Sequence, residues 1–270
     1  LLGLEYITDN TGSETITGTN QADEIRIKDD ENTDSFSGLD GDDIFKFSGA
    51  IDQNDNIDGG TGTDQLIGSS GNDSLTLNSM VSIEFIDMGA GTDYIRARSG
   101  GTLDLSGYTV GVDLLGLEYI TDNTGSETVI GTNGADEIHM SSDTNADSFS
   151  GLDGDDIFMF AGAVNRNDTI DGGNGNNQIL GSAGNDTLQL ASFTGIEAID
   201  FGDGNDAFLL RSGMSFSGMV VDMGAGTDYL MAQSGNTLDI SAYTLGVEFL
   251  NLEYITDNTG SETVIGTNGA

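Results

Sequence analysis

The chain has 270 residues and a formal net charge of −39, because 46 Asp and Glu residues outnumber 7 Lys and Arg residues. It contains no Cys, which excludes a disulfide framework, a zinc–thiolate site, an iron–sulfur cluster and a cysteine nucleophile. No apolar run approaches the roughly 18 residues of a membrane-spanning helix. The negative charge repels nucleic acid and anionic lipid surfaces, so we expect neither a nucleic-acid partner nor membrane insertion.

The charge also restricts how the chain can fold. A compact body with such an excess of carboxylates repels itself, and seven basic residues cannot neutralise it. Hydrophobic residues make up 36% of the chain and are regularly placed, which argues against simple disorder. The abundance of Gly, Asp and Asn indicates a fold that binds hard cations through oxygen ligands.

The chain contains long internal repeats. The sequence of 1–15 recurs unchanged at 114–128, and the same motif returns at 252–270. The second interval is longer than the first, and the extra stretch lies between Asp206 and Asp228. It amounts to about one coil of a stacked solenoid, which such a fold accepts without losing its register.

These repeats predict the organisation of the chain. We expect one continuous solenoid that is a fragment of a longer repetitive protein. The predicted parts are a first long repeat at 1–113, a second at 114–248 with an extra coil at about 207–228, and the start of a third at 249–270.

Inside each long repeat is a nine-residue unit, G-x-x-G-x-D-x-U-x, in which U is a large apolar residue. Full units are Gly38–Lys46, Gly59–Ile67, Gly68–Thr76, Gly131–His139, Gly151–Met159 and Gly181–Gln189. Shorter forms are Gly89–Asp93, Gly202–Asp206 and Gly224–Asp228.

The acidic residues of these units fall into two interleaved series with a common step of about 20 residues, a period typical of solenoids. In the first long repeat the series are Glu14, Asp34, Asp55, Asp73, Asp93 and Asp23, Asp43, Asp64, Glu84, Asp104. In the second they are Glu127, Asp147, Asp168, Asp186, Asp206, Asp228 and Asp136, Asp156, Asn177, Glu197. Two series with one step predict a coil with two strands and two turns.

The residues after each turn alternate between apolar and polar, which indicates short strands with one buried face. Phe45, Phe47, Phe158 and Phe160 are therefore predicted core residues. His139, the only histidine, falls on the outward positions and is predicted to be a solvated surface residue. The stretches 107–119 and 242–254 are more apolar than the rest of the chain and lack the glycine turns, so they are predicted to be distorted coils.

The nine-residue unit resembles the repeats-in-toxin (RTX) calcium-binding repeat, G-G-x-G-x-D-x-U-x, and the likeness is strongest to the long repetitive extracellular adhesin or surface-layer members of that family. The resemblance implies an all-β fold, a right-handed parallel β-roll or β-solenoid, with a coil here of about 20 residues. It also implies several Ca²⁺ ions in the turns, since one turn offers too few oxygens and the next coil supplies the rest.

The same resemblance implies the metal-site residues. The aspartate at position six would be the side-chain ligand, and the glycines would let the backbone approach the ion. The implied aspartates are Asp43, Asp64, Asp73, Asp93, Asp136, Asp156, Asp186, Asp206 and Asp228. The implied glycines are Gly38, Gly41, Gly59, Gly62, Gly68, Gly71, Gly151, Gly154, Gly181 and Gly184.

Several positions depart from the family pattern. Asn177 replaces an aspartate and Gln21 a glycine, while Glu14, Glu84 and Glu127 replace a shorter Asp. We expect these turns to be empty or closed by hydrogen bonds. An alternative for all the aspartates is that they only cap turns, but stacked carboxylates without a cation would repel. The neighbouring pairs expected to share ions are Asp43/Asp64, Asp73/Asp93, Asp136/Asp156, Asp186/Asp206 and Asp206/Asp228.

Three classes of function remain. The favoured one is a calcium-stabilised structural or adhesive rod in a surface filament, surface layer or large secreted adhesin. The resemblance implies export by type I secretion, and the expected partners are further copies of the chain, joined end to end or laterally through calcium, and cell-surface glycans or other surface proteins. The main alternative is a calcium-triggered folding and secretion module of a toxin or secreted enzyme.

Catalysis within the chain is the third class. Adjacent acids at 42–43 and 155–156 are the candidates for a carboxylate pair, but their turns already explain them. There is no HExxH motif and one His in all, so we expect no enzyme activity. Surface or ice binding by threonine rows has no regular T-x-T array to support it.

Overall fold

The computed structural model describes residues 6–28, 30–52, 54–164, 167–257 and 262–266. In these residues every regular element is a β-strand, and the strands pair in parallel as a β-solenoid with about 21 residues per turn. No helix in the described parts is long and apolar enough to span a membrane. The chain forms two compact units, 1–123 and 124–270.

The first unit stacks its strands in three columns, each built from parallel strands one coil apart. The first column contains Ile7–Thr8, Glu24–Arg26, Ile44–Lys46, Gln65–Ser69, Phe85–Gly89 and Leu114–Leu115. The second contains Thr15–Thr17, Ser35–Asp40, Asn56–Thr61 and Ser79–Val81. The third contains Ala50–Ile51, Ser74–Leu75, Tyr94–Arg96 and Tyr119–Thr121. One more strand is Thr102–Asp104.

Apolar side chains stack in register inside this unit. In the first column each buried residue pairs with the one a coil away, so that Ile25 lies on Phe45 and Phe45 on Leu66, all with 0% exposure. In the third column Leu75 and Ile95 stack in the same way. The core is therefore a set of apolar columns, and its stability comes from contacts between neighbouring coils.

The second unit repeats the three columns. Its first column contains Glu137–Met140, Ile157–Phe160, Gln178–Leu180, Ala198–Asp200, Val220–Asp222 and Phe249–Leu250. The second contains Thr128–Ile130, Ser148–Ser150, Thr169–Asp171 and Ser192–Thr194. The third contains Ala163–Val164, Thr187–Leu188, Ala207–Leu210, Tyr229–Ala232 and Tyr254–Thr256. Smaller pairs join Asp203–Gly204 to Ala225–Gly226 and Thr237–Asp239 to Thr263–Ile265.

The inserted coil of the second long repeat keeps this register. Strand Ala207–Leu210 pairs residue for residue with Tyr229–Ala232, and the Asp228 carboxylate accepts the Asp206 N–H at 2.8 Å. Part of the predicted third repeat, 258–261 and 267–270, lies outside the described residues.

The expectation of two strands per coil is wrong for much of the chain. From Ile44 onward the coils of the first unit carry a third short strand, beginning with Ala50–Ile51. The physical reason is length, because a coil of about 21 residues exceeds two nonapeptides. The surplus lets the chain turn a third corner.

The third corner also changes the acid series. The Asp34 carboxylate accepts the N–H of Glu14, and the Asp55 carboxylate accepts the N–H of Asp34. The Asp73 carboxylate does not accept the N–H of Asp55; it accepts the N–H of Gly49. Thus Asp73 and Asp93 belong to the third column and not to the series of Asp55.

The predicted fifth member of the other series, Asp104, is also misplaced. The first column continues from Phe85–Gly89 to Leu114–Leu115, which follows Asp113. The Asp104 carboxylate instead accepts the N–H of Ser106, two residues on.

The predicted core phenylalanines are confirmed, since Phe45, Phe47, Phe158 and Phe160 are at most 5% exposed. The His139 side chain is 35% exposed and lies 2.6 Å from a Glu137 oxygen, so it is a surface residue with an acidic neighbour.

Candidate metal centres in the turns

The turn acids form ladders that run from coil to coil. In each step one carboxylate oxygen accepts the backbone N–H of the acid one coil earlier, as when Asp64 Oδ1 accepts the Asp43 N–H at 2.8 Å. All five neighbouring pairs expected from the sequence are joined this way. The pairs are Asp43/Asp64, Asp73/Asp93, Asp136/Asp156, Asp186/Asp206 and Asp206/Asp228.

In six turns of the part of the chain that the structure describes, the second carboxylate oxygen is buried and accepts no hydrogen bond. We name these the open turns. They end at Asp43, Asp64, Asp93, Asp156, Asp206 and Asp228. Each of these aspartates has 0% exposure. A buried carboxylate oxygen without a donor is costly, so the open turns fit a cation that supplies the missing positive charge.

The open turn at Asp43 shows what surrounds the free oxygen. Asp43 Oδ2 and the carbonyl oxygen of Gly59, one coil on, both crowd the Cα of Gly38, so that a Cβ on Gly38 would overlap them. The site therefore brings together a carboxylate and a backbone carbonyl from consecutive coils. Carboxylate and carbonyl oxygens are the kinds of ligand that calcium prefers, and these two would be part of its ligand set.

The second glycine of the unit has a different role. A Cβ on Gly62 would overlap the carbonyl of Gly41 on the coil below, and a Cβ on Gly41 would lie 2.5 Å from the backbone of Gln21. Gly154 lies on the Gly134 carbonyl in the second unit in the same way. These glycines allow the turns of neighbouring coils to stack closely.

Among the described residues, four turns are closed by a hydroxyl residue, and we name them the sealed turns. They end at Asp23, Asp73, Asp136 and Asp186. In each, the residue four positions before the aspartate is Ser or Thr, and its N–H donates to Oδ2 at 2.5–2.6 Å. The hydroxyl of Ser69 also accepts the N–H of Gly71, as that of Ser182 does from Gly184.

Three of the predicted calcium ligands lie in sealed turns. Asp73, Asp136 and Asp186 have both carboxylate oxygens engaged by N–H or O–H donors. Their turns, which include Gly68 and Gly181, offer no free carboxylate oxygen to a cation.

The difference between the two kinds of turn lies in one backbone angle. In the open turns the residue four before the aspartate is Gly or Leu and has φ between 75° and 100°. Leu39 and Leu152 adopt this left-handed conformation although they are not glycines, which costs about 1–3 kcal/mol and is typical of ligand-binding loops. The sequence reading missed this signal, which was available as Ser or Thr against Gly or Leu at one position.

Asn177 closes its turn in a third way. Its side-chain oxygen accepts the Asp156 N–H at 2.9 Å, and its Nδ2 donates to the Gly195 carbonyl at 2.8 Å. The expectation that a departure from the family pattern is closed by hydrogen bonds is met here. The glutamates continue the ladders, since Glu84 Oε2 accepts the Asp64 N–H at 2.8 Å and the Glu127 N–H donates to Asp147.

Burial and neighbouring carboxylates perturb the acids of the open turns. Burial, followed by the charges of Asp136, Asp155 and Asp153, raises the pKa of Asp156 to about 6. Burial, with Asp228 and Asp186, raises the pKa of Asp206 to about 6. In both cases the backbone N–H that donates to the carboxylate lowers its pKa, but not enough to cancel the rise. The folded chain thus holds carboxylates that need either a proton or a cation.

Comparison with known proteins gives one result. Four copies of the RTX calcium-binding nonapeptide repeat match within residues 50–79, 121–139 and 163–190. No curated protein sequence matches the chain. The repeats are of a calcium-binding type, which supports calcium binding at several positions of the chain.

Proposed function

We propose that this chain, an RTX calcium-binding repeat protein, is a structural or adhesive segment of an extracellular filament, surface layer or large secreted adhesin. The proposal includes export by type I secretion into calcium-rich surroundings, which is typical of RTX proteins. It assigns no catalysis to the chain.

The observation that carries the proposal is the continuity of the ladders. In both units, turn side chains, mostly carboxylates, accept the backbone N–H of the turn residue one coil earlier, and the apolar columns keep the same register. The inserted coil extends a ladder by one step instead of disturbing it. Such a fold grows by adding coils, which suits a long spacer or filament better than a binding module of fixed size.

Calcium would be held at the open turns. The free oxygens of Asp43, Asp64 and their equivalents would bind it together with backbone carbonyls of the next coil. When bound, the ion neutralises the buried carboxylates and joins successive coils. The protein residues position these oxygens, because the ladder N–H holds the other carboxylate oxygen in place.

The acids suspected of catalysis have structural partners. Asp42 Oδ1 accepts the Thr63 N–H at 2.9 Å, and Asp155 Oδ1 accepts the Asn176 N–H at 2.8 Å. Each member of the two acid pairs thus takes part in the contacts between coils, which supports a structural role.

Electron microscopy of the exporting cells and of the purified full-length protein tests the proposal. In millimolar calcium we expect surface filaments or a layer, which come apart after chelation and form again when calcium, but not magnesium, is restored. Compact, monodisperse particles in calcium that act on target cells would overturn the proposal. That outcome would favour the calcium-triggered secretion module of a toxin or secreted enzyme.

A further inference from the structure

The outer face of the third column in the first unit has three successive coils whose described residues include no acid. The inward residues of these coils, Leu75, Ile95 and Ile120, are at most 2% exposed. The residues on either side of each point to the opposite face of the strand. They are Ser74 and Thr76, Tyr94 and Arg96, and Tyr119 and Thr121. A negatively charged group can therefore approach this face, although the chain as a whole, with its charge of −39, repels it.

Two arginines give this face a positive charge. Arg96 ends its strand, and Arg98 follows two residues on. The Arg96 guanidinium donates to the Tyr94 hydroxyl at 3.3 Å and lies 5.0 Å from the centre of that ring. The Arg98 guanidinium donates to the side-chain oxygen of Asn78 on the previous coil. Both guanidinium groups are therefore held in place by neutral partners.

Neither arginine has a carboxylate partner. In the described part of the chain, Arg96 and Arg98 form no salt bridge, whereas Arg26 and Lys46 of the same unit both contact Glu24. A guanidinium binds a carboxylate through two parallel hydrogen bonds, which are stronger than those to neutral acceptors. The two arginines thus keep the capacity to bind a carboxylate from another molecule.

Stacked tyrosines adjoin the arginines. The ring centres of Tyr94 and Tyr119 lie 5.1 Å apart, and the ring planes differ by 14°. Each ring is half-buried, so its remaining surface faces solvent beside Arg96. We name Tyr94, Arg96, Arg98 and Tyr119 the arginine patch.

The second unit repeats the tyrosine stack, with ring centres 5.2 Å apart, but not the pair of arginines. It reads D-Y-L-M-A-Q at 228–233 where the first unit reads D-Y-I-R-A-R at 93–98. Met231 and Gln233 thus take the positions of the two arginines, and Gln233 Oε1 accepts the Nε–H of Arg211, one coil earlier, at 2.8 Å. The column folds with neutral side chains at these positions, so its fold does not require the arginines of the first unit.

The arginine patch borders a cleft of about 300 Å³, which is at the lower end of the range for ligand pockets. Both arginines line it, together with Asn78, Ser79 and Thr102, whose side chains can exchange hydrogen bonds with hydroxyl groups. The cleft is also lined by an acid, Asp104, whose carboxylate accepts the Ser106 N–H at 3.0 Å. That carboxylate opposes the binding of an anion, so its removal offers a test of the opposite sign.

We propose that the arginine patch and its cleft bind an acidic sugar, a carbohydrate unit that carries a carboxylate. The guanidinium groups hold the carboxylate, and the neutral polar residues of the cleft hold the ring hydroxyls. The charge of the chain favours such a ligand over a polyanion. A nucleic acid duplex, with one charge per about 1.7 Å, and a second copy of the chain, with its own −39, are both repelled by the rest of the protein. The inference deepens the adhesive form of the proposed function, because it supplies a ligand.

Titration of the full chain in calcium, followed by NMR, tests the site with three probes. Methyl glucuronide has both the sugar ring and the carboxylate, methyl glucoside has the ring alone, and acetate has the carboxylate alone. We expect the glucuronide to bind about tenfold more tightly than either of the others, or better.

Variants of the two arginines locate the binding. Arg96→Met and Arg98→Gln introduce the residues that the second unit has at these positions, so both should fold. Each should weaken glucuronide binding about tenfold, the expected loss for a hydrogen bond to a charged group. The matched control is Arg26→Gln, which should leave binding unchanged because Arg26 is already paired with Glu24. Asp104→Asn should tighten binding severalfold.

The outcomes separate the proposal from its alternatives. Absence of glucuronide binding to the wild type would overturn it. Equal binding to the wild type and to both arginine variants would also overturn it and would place the sugar at the turn calcium ions. Equal binding of acetate and glucuronide would indicate capture of an anion without recognition of the ring, which contradicts the proposal. The titration measures one cleft, so its failure leaves the filament proposal standing, and an absence of filaments leaves the binding result standing.

Discussion

Two equivalent turns, one in each long repeat, end in side chains that differ by a single atom. Asp64 and Asn177 both have 0% exposure, both accept the N–H of the previous coil through Oδ1, and both donate their own N–H to a glutamate of the next coil. The residue four positions earlier, Gly60 or Gly173, has positive φ in each. The two turns therefore share a left-handed backbone at this position.

The two side chains meet the next coil differently. Asn177 Nδ2 donates to the Gly195 carbonyl at 2.8 Å. Asp64 has an oxygen in that place, which accepts no hydrogen bond, and the Ser82 carbonyl crowds the same glycine neighbour, Gly59. The amide supplies from within the protein the positive partner that the carboxylate lacks. The comparison supports the proposal that the open turns hold a cation, since a nitrogen in place of the free oxygen supplies the missing donor from within the protein.

Removing calcium should have the largest effect. With the open turns unneutralised, their buried carboxylates repel, and a core of stacked columns is too thin to compensate. We expect circular dichroism to show loss of most of the β signal in EDTA and its return in millimolar calcium. A β spectrum unchanged by EDTA would contradict the assignment of the open turns as cation sites. It would also contradict the conclusion drawn from comparing Asp64 with Asn177.

Asp43→Ala should have the next largest effect. It removes the free oxygen and also the Oδ1 that accepts the Asp23 N–H at 2.8 Å. A buried donor left without an acceptor costs about 1–3 kcal/mol, in addition to the lost ion. Denaturant unfolding in calcium measures this loss. Asp43→Asn is the matched control, because it keeps the acceptor, and equal losses for the two variants would show that the ladder bond contributes nothing.

Exchanging the two residues tests the comparison directly. Asp64→Asn should close its turn as Asn177 does, so that the chain binds one calcium ion fewer and stays folded in calcium. Asn177→Asp should open its turn and add one ion. Calorimetric titration counts the ions, and Asp58→Asn controls for the change of charge. Unchanged counts in both exchange variants would mean that these turns are not calcium sites.

Much of this arrangement could be predicted from the sequence. The nine-residue spacing identified the parallel solenoid, and all five neighbouring acid pairs lie on consecutive coils. These predictions succeed because the regular step between acids is a property of the repeat itself. Alternation was equally informative, since the phenylalanines at 45 and 158 had to point inward with their neighbours in register.

The third column and the sealed turns could not be predicted in the same way. The strand Ala50–Ile51 has two residues, too few for a recognisable alternation. The carboxylate of Asp73 is indistinguishable from that of Asp43 by spacing, because what separates them is the φ angle and the donor four residues earlier.

Acidification should partly replace calcium. The raised pKa of Asp156 and Asp206, both about 6, means that the folded chain holds these protons more tightly than the unfolded chain, whose carboxyl pKa is near 3.8. Stability without calcium therefore rises as the pH falls from about 6 toward 3.8, and it is lost as the pH rises through 6. Circular dichroism in calcium-free buffer from pH 8 to 5 should show β structure returning, less so in Asp156→Asn. A β signal that does not depend on pH would contradict the burial of these charges.

The smallest expected effect concerns the residue that keeps a turn open. Leu39 has a φ of 81°, which glycine adopts without strain, so Leu39→Gly should stabilise the chain in calcium by about 1 kcal/mol and leave the number of ions unchanged. Leu39→Ser should instead favour the sealed arrangement of Ser69, whose N–H donates to its own aspartate at 2.5 Å. Calcium would then have to compete with that donor for Asp43, and we expect about tenfold weaker binding at this turn. Calorimetric titration of the two variants distinguishes the effect of backbone strain at residue 39 from the effect of an N–H donor that competes with calcium for Asp43. If Leu39→Ser and Leu39→Gly bind calcium with the same affinity, the residue four before the aspartate does not control the site. The free oxygens must then be explained by the aspartates alone.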